Sequence, residues 1–522
     1  MADLLPLDIP EDFTRSKNRN HTGEFHPIPD DLHFFYGTAG FRQNADLLTF
    51  VVFRMGCLAG LRARGLNRAV GIMITASHNP AIDNGVKIVD PMGEMLATDW
   101  EVCLKAVISI QRFAASLWLG GVPGYRAAIG PHLMEAAREG SALMGVRYEN
   151  HGLLTTPQLH YIVRCKNDPS FGEANEIGYY AKMSNAFKEL MKLNGENEQS
   201  SYSRNLILDC ANGVGAKKMR MLCGFLPQDA VHVQFRNENG ELNHKCGADY
   251  VKIRQVLPEN FTDVNVNTKC ASFDGDADRL VYFRKASSEG ERAILLDGDK
   301  IAILIAKYIK EALNSAQITD LTMGVVQTAY ANGNSSKYLR EVLGITPVFV
   351  PTGVKHLHHA AIRFDIGIYF EANGHGTVVF SKKFNERIRT CSLKRLQLFS
   401  NIINEVVGDA MADLLVVESL LRWYGLSIED WESQFYTDAP SLQIKVPVAD
   451  RSKFKTTYDE TILLEPQGVQ EKINSFVKQC SGARAFVRPS GTENIVRVYA
   501  ETQLADETVA LAESVANLIR NL

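Results

Sequence analysis

The sequence contains no run approaching the roughly 20 consecutive apolar residues that a membrane-spanning helix needs. It also lacks an excess of either charge: 56 Lys plus Arg against 60 Asp plus Glu leave a formal net charge of −4. The first absence argues against an integral α-helical membrane protein. The second removes any bulk attraction to nucleic acid or acidic lipid, while leaving room for a local basic pocket. The first twelve residues are acidic, without the positive start and apolar stretch of a secretory signal. No two of the nine cysteines are spaced Cys-x-x-Cys, so neither a zinc cage nor a redox pair is indicated. Reduced thiols in a cytoplasmic protein are expected. No Walker A motif is present, and Gly213-Val-Gly-Ala-Lys-Lys stops short of the last glycine of a dinucleotide fingerprint. ATP and NAD are therefore not implied.

What is present is an average globular composition, 45% apolar and 22% charged over 522 residues, enough for about three to five domains. Short apolar runs read as buried strands at Gly71–Thr75, Asn205–Asp209, Leu280–Phe283, Thr322–Val326, Pro347–Val350 and Ile366–Phe370. Between them lie helical stretches such as 299–313, where Ile301, Leu304, Ile305, Tyr308 and Ile309 fall on one stripe. This alternation predicts α/β units on a mostly parallel sheet. The C-terminal part changes pattern: strand 443–446, helix 467–479, strands 484–488 and 494–501, helix 505–521, an α+β arrangement with an antiparallel sheet. Residues 11–31 read as an extended lead-in and the polar stretch Leu193–Asn205 as a linker. Four domains are expected, over 1–194, 195–296, 297–436 and 437–522.

Four loops could carry chemistry. Asp274-Gly-Asp-Ala-Asp-Arg279 alternates three carboxylates, which an extended chain would place on one face. Three oxygens there suit a hard cation such as Mg²⁺. A solvated acidic turn is the plain alternative, although three such carboxylates repel one another without a cation. The loop is no EF-hand, since its sixth position is Arg279 and its twelfth Lys285. Thr75-Ala-Ser-His-Asn-Pro80 presents Ser77 just past a buried strand, as a nucleophile or phosphate carrier, or as an ordinary turn. No Gly-x-Ser-x-Gly elbow surrounds it, so a serine hydrolase is not indicated. His78 and Lys87 could orient or neutralise a phosphate. Arg488-Pro-Ser-Gly-Thr-Glu493, with Arg497 beyond it, reads equally as an anion-binding turn or a polar hairpin. Glu371-Ala-Asn-Gly-His-Gly376 could grip paired sugar hydroxyls or be a simple glycine-rich turn. Weak singly, the four together are what a phosphosugar enzyme needs.

These four motifs, in their chain order Thr75–Pro80, Asp274–Arg279, Glu371–Gly376 and Arg488–Glu493, resemble the α-D-phosphohexomutase superfamily. Tyr36-Gly-Thr-Ala-Gly-Phe-Arg42, Thr155-Thr-Pro-Gln-Leu-His160, Cys246-Gly-Ala-Asp-Tyr-Val-Lys252 and Gly353-Val-Lys-His-Leu-His-His359 extend the likeness to its acetylglucosamine-phosphate mutase branch, over nearly the whole chain. One departure is that Glu-Ala-Asn-Gly stands where many relatives have Glu-x-Ser-Gly, so the contacts of Asn373 cannot be copied from a serine. The resemblance implies an α/β fold with the four-domain, heart-shaped phosphohexomutase architecture: three α/β domains and a C-terminal α+β domain. It implies phosphorylation of Ser77, Mg²⁺ held by Asp274, Asp276, Asp278 and a phosphate oxygen on Ser77, and Arg279 beside the transferring group. Glu371, Ala372 and Asn373 would bind the sugar. Arg488, Pro489, Ser490, Gly491, Thr492 and Arg497 would bind the other phosphate. The implied activity is an isomerase interconverting N-acetylglucosamine 6-phosphate and 1-phosphate, with a sugar 1,6-bisphosphate as intermediate and activator, supplying UDP-N-acetylglucosamine synthesis. A glucose or mannose phosphomutase, a non-catalytic phosphosugar binder and a Mg²⁺-dependent hydrolase are the rivals. The expected partner is a small phosphosugar, not nucleic acid or membrane; the oligomeric state stays open, a monomer included.

Overall fold

The computed structural model describes residues 10–37, 40–101, 129–194, 200–391, 393–490 and 494–522. The chain divides into two compact units. One comprises residues up to Leu295 together with Gln397–Ile428; the other comprises Leu296–Leu396 and Glu429–Leu522. Among the described residues no helix is long and apolar enough to cross a membrane.

The first unit holds two sheets. Three antiparallel strands lie in the order Phe41–Asn44, Asp83–Val89, Gly71–Ile74. The parallel arrangement expected for this region is thus corrected. Gly71–Ile74 is buried along its whole length, and a strand covered on both faces has the same apolar pattern in either orientation. The helix Thr49–Leu66 packs on this sheet and on the helix Ile129–Ala142. The second sheet has five strands in the order His232–Arg236, Asn205–Asp209, Cys270–Phe273, Leu280–Lys285, Ala293–Leu296. The first three run parallel and the fourth antiparallel to the third.

Two stretches expected to be loosely attached are built into this unit. Phe13 stacks on Phe53 at 4.0 Å between ring centroids. The side chain of Asn18 is fully buried and donates to the carbonyls of His26 and Asp46 while accepting from the Phe50 amide. Around the polar stretch 200–205, Tyr202 donates to the buried carboxylate of Glu418, which also accepts from Lys269 and Tyr282. Buried charges survive only when paired and hydrogen-bonded, so these polar residues complete a buried network.

A second buried acid is less well served. Asp413 lies inside the helix Ala410–Tyr424 with its Oδ2 lacking any hydrogen-bond partner. Burial, and then the nearby Asp409, push its pKa well above the ordinary carboxylate value. A carboxyl whose folded pKa is raised contributes stability at low pH that is lost as pH rises above its unfolded value, near 4. Asp413→Asn removes that loss. The gap in Tm, variant minus wild type, should widen in favour of the variant between pH 5 and pH 8. A constant gap in thermal melts would contradict this.

The second unit also has two layers of strands and helices. A four-stranded sheet runs Val348–Phe349, Met323–Gln327, Ile366–Phe370, Gly376–Phe380, parallel except for the last strand. Asp297 caps the long helix Gly298–Ser315, whose apolar stripe is buried as its periodicity predicts. The C-terminal part has an antiparallel sheet, Ser441–Pro447, Ile495–Glu501, Arg484–Pro489, backed by helices Val469–Val477 and Ala505–Arg520. A small hairpin, Lys455–Thr456 with Leu463–Glu465, was not foreshadowed by the sequence. Both units are mixed α/β, as the alternation of apolar runs and helical stretches predicts.

Candidate active site

In the first unit, the buried strand Gly71–Ile74 delivers the loop carrying Ser77. The Ser77 backbone has φ +51°, a left-handed conformation that costs a non-glycine residue on the order of 1–3 kcal/mol. Neighbouring groups hold it there. The Ser77 amide donates to Thr75 Oγ1 at 2.9 Å, and Asn243 Nδ2 donates to the carbonyls of Ser77 and Asn79 at 2.7 and 2.8 Å. Arg42 donates to the Ala76 carbonyl and to Asn79 Oδ1. The hydroxyl is thereby fixed on a rigid frame.

Facing it is the aspartate turn. Asp274, Asp276 and Asp278 are buried, and each offers an oxygen within 4.8 Å of the others. They do not converge by extended alternation, as the spacing suggests. The segment is a turn with Ala277 at φ +56°, closed by the Ala277 amide on the Asp274 carbonyl. Asp274 Oδ1 accepts the amides of Asp278 and Arg279. Ser77 Oγ lies 3.3 Å from Asp274 Oδ2. Gly275 makes this approach possible: a Cβ there would sit 2.4 Å from the Ser77 carbonyl oxygen.

The electrostatics ask for a cation. Burial, then Asp278 and Asp276, hold the Asp274 carboxyl well above its ordinary pKa, against the lowering effect of Arg279. Asp276 Oδ2 accepts from Thr75 and Thr156, at 2.9 and 2.6 Å, but its buried Oδ1 has no hydrogen-bond partner. An all-oxygen donor set with an unsatisfied carboxylate oxygen fits Mg²⁺. Lys87 Nζ stands 3.7 Å from Asp278. Arg279 pairs with Asp249 at 2.8 Å and lies 3.9 Å from Asp274 and 3.8 Å from Asp278. His78 Nδ1 is 3.2 Å from Ser77 Oγ, and burial beside Arg279 pushes its imidazole down to about 3.

The other predicted residues lie in the second unit. Glu371, Ala372 and Asn373 form the turn between Ile366–Phe370 and Gly376–Phe380. Glu371 Oε1 accepts the Gly353 amide at 3.1 Å, and Asn373 Oδ1 accepts the His375 amide. Arg488 and Arg497 are direct cross-strand partners, so their side chains leave the same face of the sheet. Arg497 Nε is buried without a hydrogen-bond partner. Pro489 ends the strand, and Ser490 is buried with its amide on the Ile495 carbonyl and its own carbonyl on Arg451. Gly491 and Thr492 lie outside the described residues.

Two arginines on one face beside a Ser-containing turn are the donor types that bind an anion. A fixed serine against a carboxylate trio brings together groups of the kind that phosphoryl transfer uses. Models of phosphoacetylglucosamine mutase AMG1 match domain II at residues 170–281 and domain III at 297–426. The phosphoglucomutase/phosphomannomutase alpha/beta/alpha domain I matches 58–112, and the C-terminal domain of that family matches 444–518. A phosphoacetylglucosamine mutase from Sus scrofa is 45% identical over 94% of both chains. The chain belongs to the phosphoacetylglucosamine mutase family. It is accordingly a phosphosugar mutase, an isomerase. Two solved structures of the Aspergillus fumigatus N-acetylphosphoglucosamine mutase extend the likeness. One, in complex with GlcNAc-6P and magnesium, is 42% identical with a TM-score of 0.88, covering 94% of this chain and 96% of its own. The other, a variant in complex with glucose 1,6-bisphosphate, is 41% identical with a TM-score of 0.85, covering 95% and 96%.

Several residues that hold these loops lie outside the four motifs. Asn243 and Thr156 reach the serine and aspartate loops from 166 and 120 residues away. Arg42 and Thr156 fall within Tyr36–Arg42 and Thr155–His160, stretches that carry the family likeness without pointing to a role for either residue. Glu460, bonded to Arg488 at 2.8 Å, had no signal at all.

Proposed function

We propose that this chain interconverts N-acetylglucosamine 6-phosphate and N-acetylglucosamine 1-phosphate through a phosphorylated Ser77 and a sugar 1,6-bisphosphate. The observation that carries the reading is the 3.3 Å approach of the Ser77 hydroxyl to Asp274 within the buried aspartate trio. Asp274, Asp276 and Asp278 are the residues to hold Mg²⁺, together with an oxygen of the seryl phosphate. When bound, that ion neutralises negative charge spread over the transferring oxygens. Arg279, held by Asp249, adds a fixed positive charge beside the same oxygens.

In the forward half-reaction the sugar O1 attacks the phosphorus on Ser77. The Oγ–P bond breaks as the O1–P bond forms, and the hydroxyl proton leaves O1. His78, pushed down to about 3, is a neutral hydrogen-bond partner and a poor proton acceptor. Lys87, whose Nζ stands 3.7 Å from Asp278, is the other group beside the trio that could relay that proton. After the bisphosphate reorients, Ser77 Oγ takes the phosphoryl group from O6 by the reverse chemistry. Glu371 and Asn373 supply a carboxylate and an amide for sugar hydroxyls. Arg488, Ser490, Gly491, Thr492 and Arg497 bind whichever phosphate is not being transferred. Such a clamp reads a phosphate rather than a carbon position, so both ends of the sugar are accepted. We assign the reaction to the cytoplasm and to the supply of UDP-N-acetylglucosamine synthesis.

The test is a coupled assay of isomerisation with N-acetylglucosamine 6-phosphate, glucose 6-phosphate and mannose 6-phosphate, each with Mg²⁺. Mass spectrometry follows phosphate on Ser77. Turnover should favour the N-acetylated sugar, and phosphate on Ser77 should be lost on adding substrate. Preference for glucose or mannose phosphate would overturn the substrate, and release of inorganic phosphate would make the chain a hydrolase.

A further inference from the structure

The hairpin tip Thr457-Tyr-Asp-Glu-Thr-Ile462 has little hydrophobic reason to exist. Tyr458 is 70% exposed and Ile462 47%. Its internal bonds nevertheless specify one shape. Asp459 accepts from the hydroxyls of Thr457 and Thr461, the Glu460 amide closes on the Thr457 carbonyl, and the Thr457 amide closes on the Ile462 carbonyl. Glu460 is thereby placed in the left-handed region, φ +60°. The result is that a single carboxylate, 14% exposed, turns inward onto two partners.

Both of its oxygens are used. Oε1 accepts from Arg488 Nε at 2.8 Å. Oε2 accepts from the amide and the hydroxyl of Thr352, at 2.9 and 2.6 Å. The next amide, Gly353, donates to Glu371 Oε1. Adjacent amides of the 352–353 turn thus bond the carboxylate that holds Arg488 and the carboxylate of the proposed sugar loop. An acid competing with phosphate for Arg488 would engage the two terminal guanidinium nitrogens, the forked pair that suits phosphate. Glu460 instead takes Nε, at the base of the fork. That contact holds the guanidinium through Nε rather than through the forked pair of terminal nitrogens.

We infer that Glu460 is a positioning residue: it orients Arg488 for a substrate phosphate and, through the Thr352–Gly353 turn, keeps the phosphate clamp in register with Glu371. The inference rests on the mutase reading for its substrate, but its test does not depend on turnover. Isothermal titration of the full chain with N-acetylglucosamine 6-phosphate is compared for wild type, Glu460→Ala, Arg488→Ala and the double variant, alongside KM and kcat. A charge-assisted hydrogen bond is roughly twice as strong as a neutral one, so losing it should weaken binding and raise KM by about tenfold or more. The kcat should change by less than about threefold, since no reacting atom is touched. The double variant should bind no worse than Arg488→Ala, because Glu460 acts through that arginine.

Additive losses in the double variant, or unchanged phosphosugar affinity in Glu460→Ala, would overturn the inference. If Glu460→Ala melts below the assay temperature, Glu460→Gln and Thr352→Val replace it. Gln cannot accept from both partners, and Val removes only the hydroxyl bond, so graded KM increases are expected, and none would refute the role. A wild type that binds phosphosugar with this coupling but does not isomerise it would sink the mutase reading and leave the inference standing.

Discussion

Ser77→Ala should leave a folded chain that binds phosphosugar and does not isomerise it. The expected loss in kcat is at least about 10³-fold, the scale on which deleting a nucleophile acts. The fold should be spared because, among the described residues, the hydroxyl contributes only two long hydrogen bonds, 3.2 Å to His78 and 3.3 Å to Asp274. The unusual backbone at this position is imposed from outside, by Thr75 and by Asn243 bridging two carbonyls of the loop. Alanine at φ +51° is no worse placed than serine. The predicted signature is therefore a near-wild-type melt, phosphosugar affinity within a few-fold, and no label transferred from a radiolabelled sugar bisphosphate. Retained turnover, or label on another residue, would remove Ser77 from the mechanism and with it the interpretation of the whole loop.

The same loop shows where sequence reasoning succeeds and where it stops. Ser77, the three aspartates, Glu371 and Arg488 were legible because each chemical group sits in a short contiguous motif at the end of a buried strand. The geometry that brings Ser77 against the three aspartates was not. The aspartates converge only because Ala277 adopts a left-handed conformation, which local propensity disfavours for a residue with a Cβ. Asn243 and Thr156 act across long sequence separations; nothing near Asn243 marks it, and Thr156 sits in Thr155–His160, a stretch that carries the likeness but names no role for it. Strand positions were readable from apolar runs, but strand direction was not. In Gly71–Ile74 every position is buried, which erases the alternation that distinguishes a half-exposed antiparallel strand. The Lys455–Glu465 hairpin lacked even that signal, since of its paired residues only Leu463 is buried. Its order comes from side-chain hydrogen bonds around Asp459, and these, unlike a hydrophobic pattern, have no period.

Removing the divalent cation should produce an effect as large as removing the serine, with an opposite sign in stability for one variant. Metal-free wild type is expected to lose at least about 10³-fold in kcat, because the buried carboxylate trio then faces the transferring phosphoryl group with no cation to offset the charge of either. Restored Mg²⁺ should return activity and raise Tm, since a ligand at about 100 times its Kd adds about 2.7 kcal/mol to the native state. Asp274→Asn separates these effects. Its Oδ1 can still accept the amides of Asp278 and Arg279, and its new amide can face the Ser77 hydroxyl, so the turn keeps its bonds. One of three mutually repelling buried acids is gone, the one whose pKa burial and its two neighbours hold well above normal. Without metal the variant should therefore melt above the metal-free wild type. With Mg²⁺ it should gain little further, and it should remain inactive. Calorimetry with and without EDTA reads all four states. A metal-free variant that melts below metal-free wild type, or one that responds to Mg²⁺ as strongly as wild type, would show that the trio is held together by something other than a cation.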